Sequence, residues 1–183
     1  MRFGFGALIL VPMNELDQFW SEKLSTAIDN ARKTGRADLA DYLELKAAND
    51  AVRQAGVEEF FAVVSEIATA PEHASKNITV ERETPHNFQH RGANMVGSLL
   101  RLRYGVRCMT VEAGWTRTPS DGFMRLGALA FARITHFGIS KANEEFVLKS
   151  TGGSAAWAAI KNDKADATFH LDRLNEHFVV LVG

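Results

Sequence analysis

The sequence has only one cysteine, Cys108, among its 183 residues. A single thiol excludes an intramolecular disulfide and any zinc site built from several cysteines, and it is typical of a reducing compartment. The sequence also has no apolar run near the ~20 residues that span a bilayer. We therefore expect a cytoplasmic protein without a membrane segment, and we interpret the apolar residues 3–11 as a buried strand or a docked arm rather than a signal peptide.

The chain also lacks a strong net charge. The formal charge is −1 at pH 7, so the overall balance indicates no polyanionic partner. The charges are nevertheless unevenly distributed, since residues 1–75 contain 7 Lys/Arg and 12 Asp/Glu, whereas residues 76–137 contain 9 and 4. The eight basic residues from Arg82 to Arg133 are all arginine, whose planar fork of donors suits carboxylate or phosphate.

The first part of the chain places apolar side chains at helical spacing. The pattern predicts a first helix capped by Asn14 and stopped by Gly35, and a second helix over residues 37–55 that ends at Gly56. A third helix follows at once and ends before Pro71, unless Gly56 is only a kink within one helix. The short links favour antiparallel neighbours.

Beyond these helices the apolar pattern becomes alternating, as is typical of strands. Strands are predicted over residues 78–83, 99–117, 127–137, 145–149, 155–161, 167–171 and 178–182. The stretch 163–176 is also compatible with a helix. No repeat or low-complexity tract interrupts the pattern.

Helices followed by strands indicate the α+β class. We predict an N-terminal three-helix layer, residues 1–75, packed on a curved, mainly antiparallel sheet of five to seven strands, residues 76–183. The two parts are expected to form one compact domain, with a composition typical of soluble globular proteins.

The longest predicted strand, residues 99–117, changes phase in its middle. Even-numbered positions are apolar in its first half, and odd-numbered positions are apolar in its second half. A tight hairpin at Tyr104–Gly105 would mix polar and apolar side chains on both faces. We therefore predict a β-bulge at Cys108–Met109, which adds one residue and keeps the apolar side chains of a long, bent strand on one face.

With this bulge, Arg101, Arg103 and Arg107 share the polar face, and Arg117 and Arg125 flank them. We interpret these five arginines as ligand-binding residues. The leading hypothesis is a binding or assembly module without catalytic activity and without a cofactor. Its partner would be an anionic protein surface, a small anionic ligand, or the acidic helices of a second copy in a homodimer.

Two alternatives to this hypothesis concern the same arginines. Glu81 and Glu83 share one face of the preceding strand, so the arginines could instead be neutralised within the molecule. Nucleic-acid binding is a further alternative, because bases stack on aromatic side chains. Tyr104 and Trp115 fall on the apolar face in the bulge hypothesis, which disfavours stacking beside the arginines.

A small-molecule enzyme is the second hypothesis, with substrate held between the sheet and the helices. Glu112 would act as general base, assisted by a histidine such as His136. Asp121 is more simply a turn residue. Cys108 falls in the apolar set, where a buried thiol is inert.

His86 and His90 are the candidate metal ligands. If Thr84 caps a helical turn that begins at Pro85, both imidazoles share one face at a spacing that can hold a metal. On an extended strand they would lie ~13 Å apart, too far for one ion. We expect these histidines to be surface residues rather than a metal site.

Overall fold

The computed structural model describes residues 15–151, 154–166 and 169–183. Three α-helices are present in this part of the chain: α1 (Glu15–Lys33), α2 (Ala37–Thr69) and α3 (Asn175–Val182). The predicted strand or arm over residues 3–11 and the predicted cap Asn14 lie outside the described residues. The chain divides into two compact units, one that ends at Ala47 and one that comprises Ala48–Gly183.

The first unit contains α1 and the beginning of α2. Gly35 adopts a positive φ of 73° in the turn between them, which confirms the predicted stop of the first helix. Ala31 and Ala40 are buried within this unit, and Arg32 forms an ion pair with Glu44. The first unit is therefore a helical hairpin.

The predicted break at Gly56 is absent, because α2 continues through this residue for 33 residues in all. A Cβ atom at Gly56 would lie 2.6 Å from Cδ2 of Leu148, so glycine allows the helix to approach the sheet closely. The indole Nε1 of Trp157 donates a hydrogen bond to the Gly56 carbonyl at 2.9 Å. Close packing, rather than helix termination, explains the glycine.

The second unit contains a seven-stranded antiparallel sheet whose strands lie side by side in chain order, and this confirms the predicted antiparallel sheet. The strands are β1 (Thr79–His90), β2 (Ala93–Tyr104), β3 (Arg107–Trp115), β4 (Ala130–His136), β5 (Glu144–Thr151), β6 (Ser154–Lys161) and β7 (Lys164–Asp166).

The predicted bulge at Cys108–Met109 is wrong. The chain reverses in a hairpin at Gly105 and Val106, and Leu102 pairs with Met109. Because two residues form the loop, even positions of β2 lie opposite odd positions of β3. This pairing produces the observed change of phase without an extra residue. The hairpin that was considered and rejected, at Tyr104–Gly105, differs from the observed one by a single residue.

One face of the sheet packs against α2 and α3, and we call it the helix-covered face. Its main core consists of Val57, Phe60, Phe61, Val64, Leu100, Leu102, Met109, Val111, Ile134, Phe146, Leu148, Trp157, Phe178 and Leu181. The other face, which we call the opposite face, carries a smaller buried cluster that includes Phe88, Met95, Phe131, Val147 and Ala158. Charged side chains continue this opposite face along the same strands.

The distribution of helices differs from the prediction. Within the described residues, two α-helices precede the sheet instead of three, and α3 follows it. Residues 178–182, which were predicted to form a strand, belong to α3 because Phe178 and Leu181 turn their apolar side chains onto the core at helical spacing. No helix in the described part of the chain is long and apolar enough to cross a membrane.

Candidate ligand-binding groove

Strands β5 and β6 pair with each other only over part of their length. Their pairing begins at Phe146 and Ala159, whereas Glu144 and Glu145 pair only with β4. A groove of about 470 Å³ lies at this divergence, bounded by the strand ends, the segment before β5, and α3. It is lined by Lys141, Ala142, Asn143, Glu144, Glu145, Ile160, Lys161, Glu176, His177 and Val180.

A chain of hydrogen bonds lines one wall of the groove. His177 contacts the carboxylate of Glu144 through Nε2 at 3.1 Å, and its Nδ1 lies 3.0 Å from Nε2 of His136. Both imidazoles are buried, with 5% of His136 and 6% of His177 exposed. Asn143 accepts a hydrogen bond from the backbone N–H of His136 at 2.8 Å. These contacts hold α3 and the start of β5 together.

Burial determines the charge states along this chain. The desolvation of His136, together with the charge of His177, lowers its pKa from 6.5 to about 4, so it is neutral at pH 7. The hydrogen bond from His177 lowers the pKa of Glu144, an effect that outweighs the opposing effect of burial. Glu144 is therefore ionised at neutral pH.

Several charged residues at the groove already have partners. Lys161 forms an ion pair with Asp166 at 2.9 Å, and Glu176 forms one with Arg173 at 3.3 Å. Lys141 is exposed and has no ion-pair partner among the described residues. No group of three or more His, Cys, Asp or Glu side chains in the described ranges is placed to hold a metal ion.

A second polar cluster lies on the opposite face of the sheet. His86 contacts Glu112 through Nε2 at 2.7 Å and Glu83 through Nδ1 at 3.2 Å, and Arg133 donates a hydrogen bond to Glu112. Burial raises the pKa of Glu112, but hydrogen bonds from Arg133 and His86 outweigh it and leave the pKa below its usual value. All the charged groups of this cluster are matched within the molecule.

The structure does not bring the two proposed catalytic residues together. Glu112 pairs with Arg133 on the opposite face, whereas His136 lies on the helix-covered face beside His177. The carboxylate in hydrogen-bond contact with this histidine chain is Glu144, which the sequence reasoning did not select. No local signal identifies it, because His136 and His177 are 41 residues apart in the chain.

The five candidate arginines do not form one row. Arg101 and Arg103 lie on the opposite face, but Arg107 pairs with Tyr104 on the helix-covered face, because the hairpin replaces the bulge. Arg107 donates hydrogen bonds to the carbonyls of Val180 and Leu181 at the end of α3. The predicted common face is therefore wrong.

The other four candidate arginines each have different surroundings. Arg101 lies 3.5 Å from Glu81, as the internal-pairing alternative predicts, whereas Arg103 is exposed and has no ion-pair partner in the described part of the chain. The guanidinium of Arg117 lies 4.0 Å from the centre of the Trp115 ring. Arg125 is exposed at the rim of a small hollow.

The metal candidates His86 and His90 both lie on β1, so the extended alternative holds and the helical turn after Thr84 does not form. His86 belongs to the Glu112 cluster, while the ring of His90 stacks on Phe131 with centroids 3.8 Å apart. Asp121 lies in a turn as expected, where its carboxylate accepts a hydrogen bond from the Thr118 N–H at 2.8 Å. Cys108 is half-buried on β3.

Comparisons with known proteins give no relative for this chain, since no protein-family model, no curated protein and no solved structure matches it.

Proposed function

We propose that this chain is a binding protein that holds a small polar organic molecule in the groove between β5, β6 and α3. The observation that carries the proposal is the divergence of β5 and β6 beside the half-buried Glu144 and the buried His177. The volume of about 470 Å³ is within the range of small-molecule sites. Side chains of both charge signs provide polar contacts.

The groove supports binding better than catalysis. None of its lining residues is serine, threonine, cysteine or tyrosine, so the lining offers no hydroxyl or thiol nucleophile. The lowered pKa of Glu144 makes it a weak base at neutral pH. Both ring nitrogens of His177 are already engaged. The polar residues there are arranged to hold a ligand in place.

A steric block in the groove tests this proposal. Val180 lines the groove, whereas its neighbour Val179 is 67% exposed and does not line it. We would compare Val180→Trp with the matched control Val179→Trp in a thermal-shift screen against small amines, carboxylates, amino acids and alcohols. At least one compound is expected to raise the Tm of the wild type and of the control, but not that of Val180→Trp.

Two results would overturn the proposal. One is a screen in which no compound changes the Tm of the wild type. The other is a stabilising compound that acts equally on Val180→Trp, because its site would then lie elsewhere. Circular dichroism of both variants without ligand verifies that α3 is intact.

A second proposal keeps the anionic partner of the arginine hypothesis, now limited to Arg101 and Arg103. The observation that favours it is the exposed guanidinium of Arg103, which has no ion-pair partner among the described residues. An acidic surface of a second copy of this chain would supply the counter-charge. Its test is the mass of the protein in solution.

A further inference from the structure

We infer, on the basis of the proposed groove function, that its ligand is a small zwitterion: Glu144 binds the ammonium group, and Lys141 binds the carboxylate. Both residues line the same groove.

The carboxylate of Glu144 recognises the ammonium group of the ligand. Its Oε2 atom accepts a hydrogen bond from His177, which fixes the orientation of the side chain. Within the described residues Oε1 has no hydrogen-bond partner, and 25% of the side chain is exposed. An ammonium group has three donors, which suit the carboxylate oxygen of Glu144 that accepts no hydrogen bond from the described residues.

The carboxylate of the ligand is recognised by donors that the protein itself leaves unused. Lys161 is neutralised by Asp166, so Lys141 is the cation of the groove lining without an ion-pair partner in the described ranges. A ligand that carried only a positive charge would leave the ammonium group of Lys141 unmatched.

The remaining charges disfavour a simple anion. Glu144 and Glu145 both line the groove, and His136 behind them is neutral at pH 7. A carboxylate ligand without an ammonium group would therefore bring a further negative charge beside the ionised Glu144. A molecule with both groups matches each end of the lining.

Three probes with the same carbon skeleton test this assignment: n-butylamine, butyrate and 4-aminobutyrate. Isothermal titration calorimetry at pH 7 measures each affinity for the wild type, Glu144→Gln, Lys141→Gln and the control Glu59→Gln. Glu59 is an exposed residue of α2 that does not line the groove. We expect 4-aminobutyrate to bind most tightly, and each groove variant to lose about tenfold or more in affinity because a charge-assisted hydrogen bond is removed. The control is expected to bind as the wild type does.

The outcomes separate this inference from the proposed function. If butyrate or n-butylamine binds as tightly as 4-aminobutyrate, or if a compound of another class raises the Tm while none of the three probes binds, the zwitterion assignment is overturned and the groove function stands. An affinity for 4-aminobutyrate unchanged in Glu144→Gln also overturns the assignment. If neither the probes nor the wider screen binds, both proposals fall.

Discussion

The Nε2 atom of His136 lies 3.0 Å from Nδ1 of His177, and the two buried rings stack with their centroids 5.3 Å apart. One ring must donate and the other must accept in this contact. The pair therefore exists only while at least one imidazole is neutral. This contact joins β4 to α3 beneath the proposed groove.

The first prediction concerns stability between pH 6.5 and 4. Burial and the charge of His177 lower the pKa of His136 to about 4 in the folded chain, whereas an unfolded histidine titrates near 6.5. In this interval the unfolded state binds a proton that the folded state does not, so the free energy of unfolding falls as the pH falls. The loss is about 2–3 kcal/mol, measured by urea unfolding at several pH values.

The matched variants for the pH prediction are His136→Gln and His170→Gln. His170 is exposed, so its replacement is expected to keep the dependence on pH. His136→Gln is expected to flatten it, although His90, whose pKa is also lowered by burial, retains a part of the slope. An unchanged slope in His136→Gln would contradict the account.

A second prediction concerns the Glu112 cluster. Glu112→Gln removes the charge that pairs with Arg133 and His86, and it is expected to lower the free energy of unfolding by about 1–3 kcal/mol at pH 7. The control is Glu83→Gln, since the side chain of Glu83 is 57% exposed and its pair with His86 is expected to contribute less than about 1 kcal/mol. Equal losses in the two variants, measured by urea unfolding, would show that the cluster has no special role.

A third prediction concerns the end of α3. Nη1 of Arg107 donates a hydrogen bond to the carbonyl of Val180 at 3.2 Å, where a cation is favourable at a helix C-terminus. Arg107→Ala is expected to lower the free energy of unfolding by about 0.5–1 kcal/mol and to accelerate amide hydrogen exchange in α3. Arg103→Ala serves as the control. If α3 exchanges at the wild-type rate in Arg107→Ala, the arginine does not stabilise the helix end.

A fourth prediction tests the second proposal, that Arg101 and Arg103 bind an acidic partner. If copies of this chain associate through these residues, the double variant Arg101→Ala/Arg103→Ala is expected to have a lower mass by size-exclusion chromatography with light scattering. Because the Arg101–Glu81 contact is long and partly exposed, its loss is expected to change the stability by less than about 1 kcal/mol. An unchanged mass would contradict assembly through these arginines.

The amino-acid pattern indicated extended structure over residues 99–117 but not the reversal within it. Alternation predicted one long strand, whereas the end of β2 and the whole of β3 are joined there by a hairpin, at the point where the phase changes. The same change of phase arises from a two-residue loop or from a bulge, and local pattern alone does not distinguish these cases. The error placed Arg107 on the wrong face.

The groove could not be predicted from the sequence, and the reason is different. Glu144, His136 and His177 come together because β5 diverges from β6 and α3 folds back on the sheet. Such contacts depend on packing between distant segments, and the apolar run at the end of the chain was equally compatible with a strand. Gly56 shows the same limit, since only the position of Leu148 reveals why it is glycine.

The most direct test of the central claim is a ¹⁵N HSQC titration of the wild-type chain with the compound that raises its Tm most. The account predicts that the saturable chemical-shift changes cluster at the backbone amides that line the groove: residues 141–145, 160, 161, 176, 177 and 180. Shift changes centred on Arg101 and Arg103, or the absence of any saturable change, would contradict it.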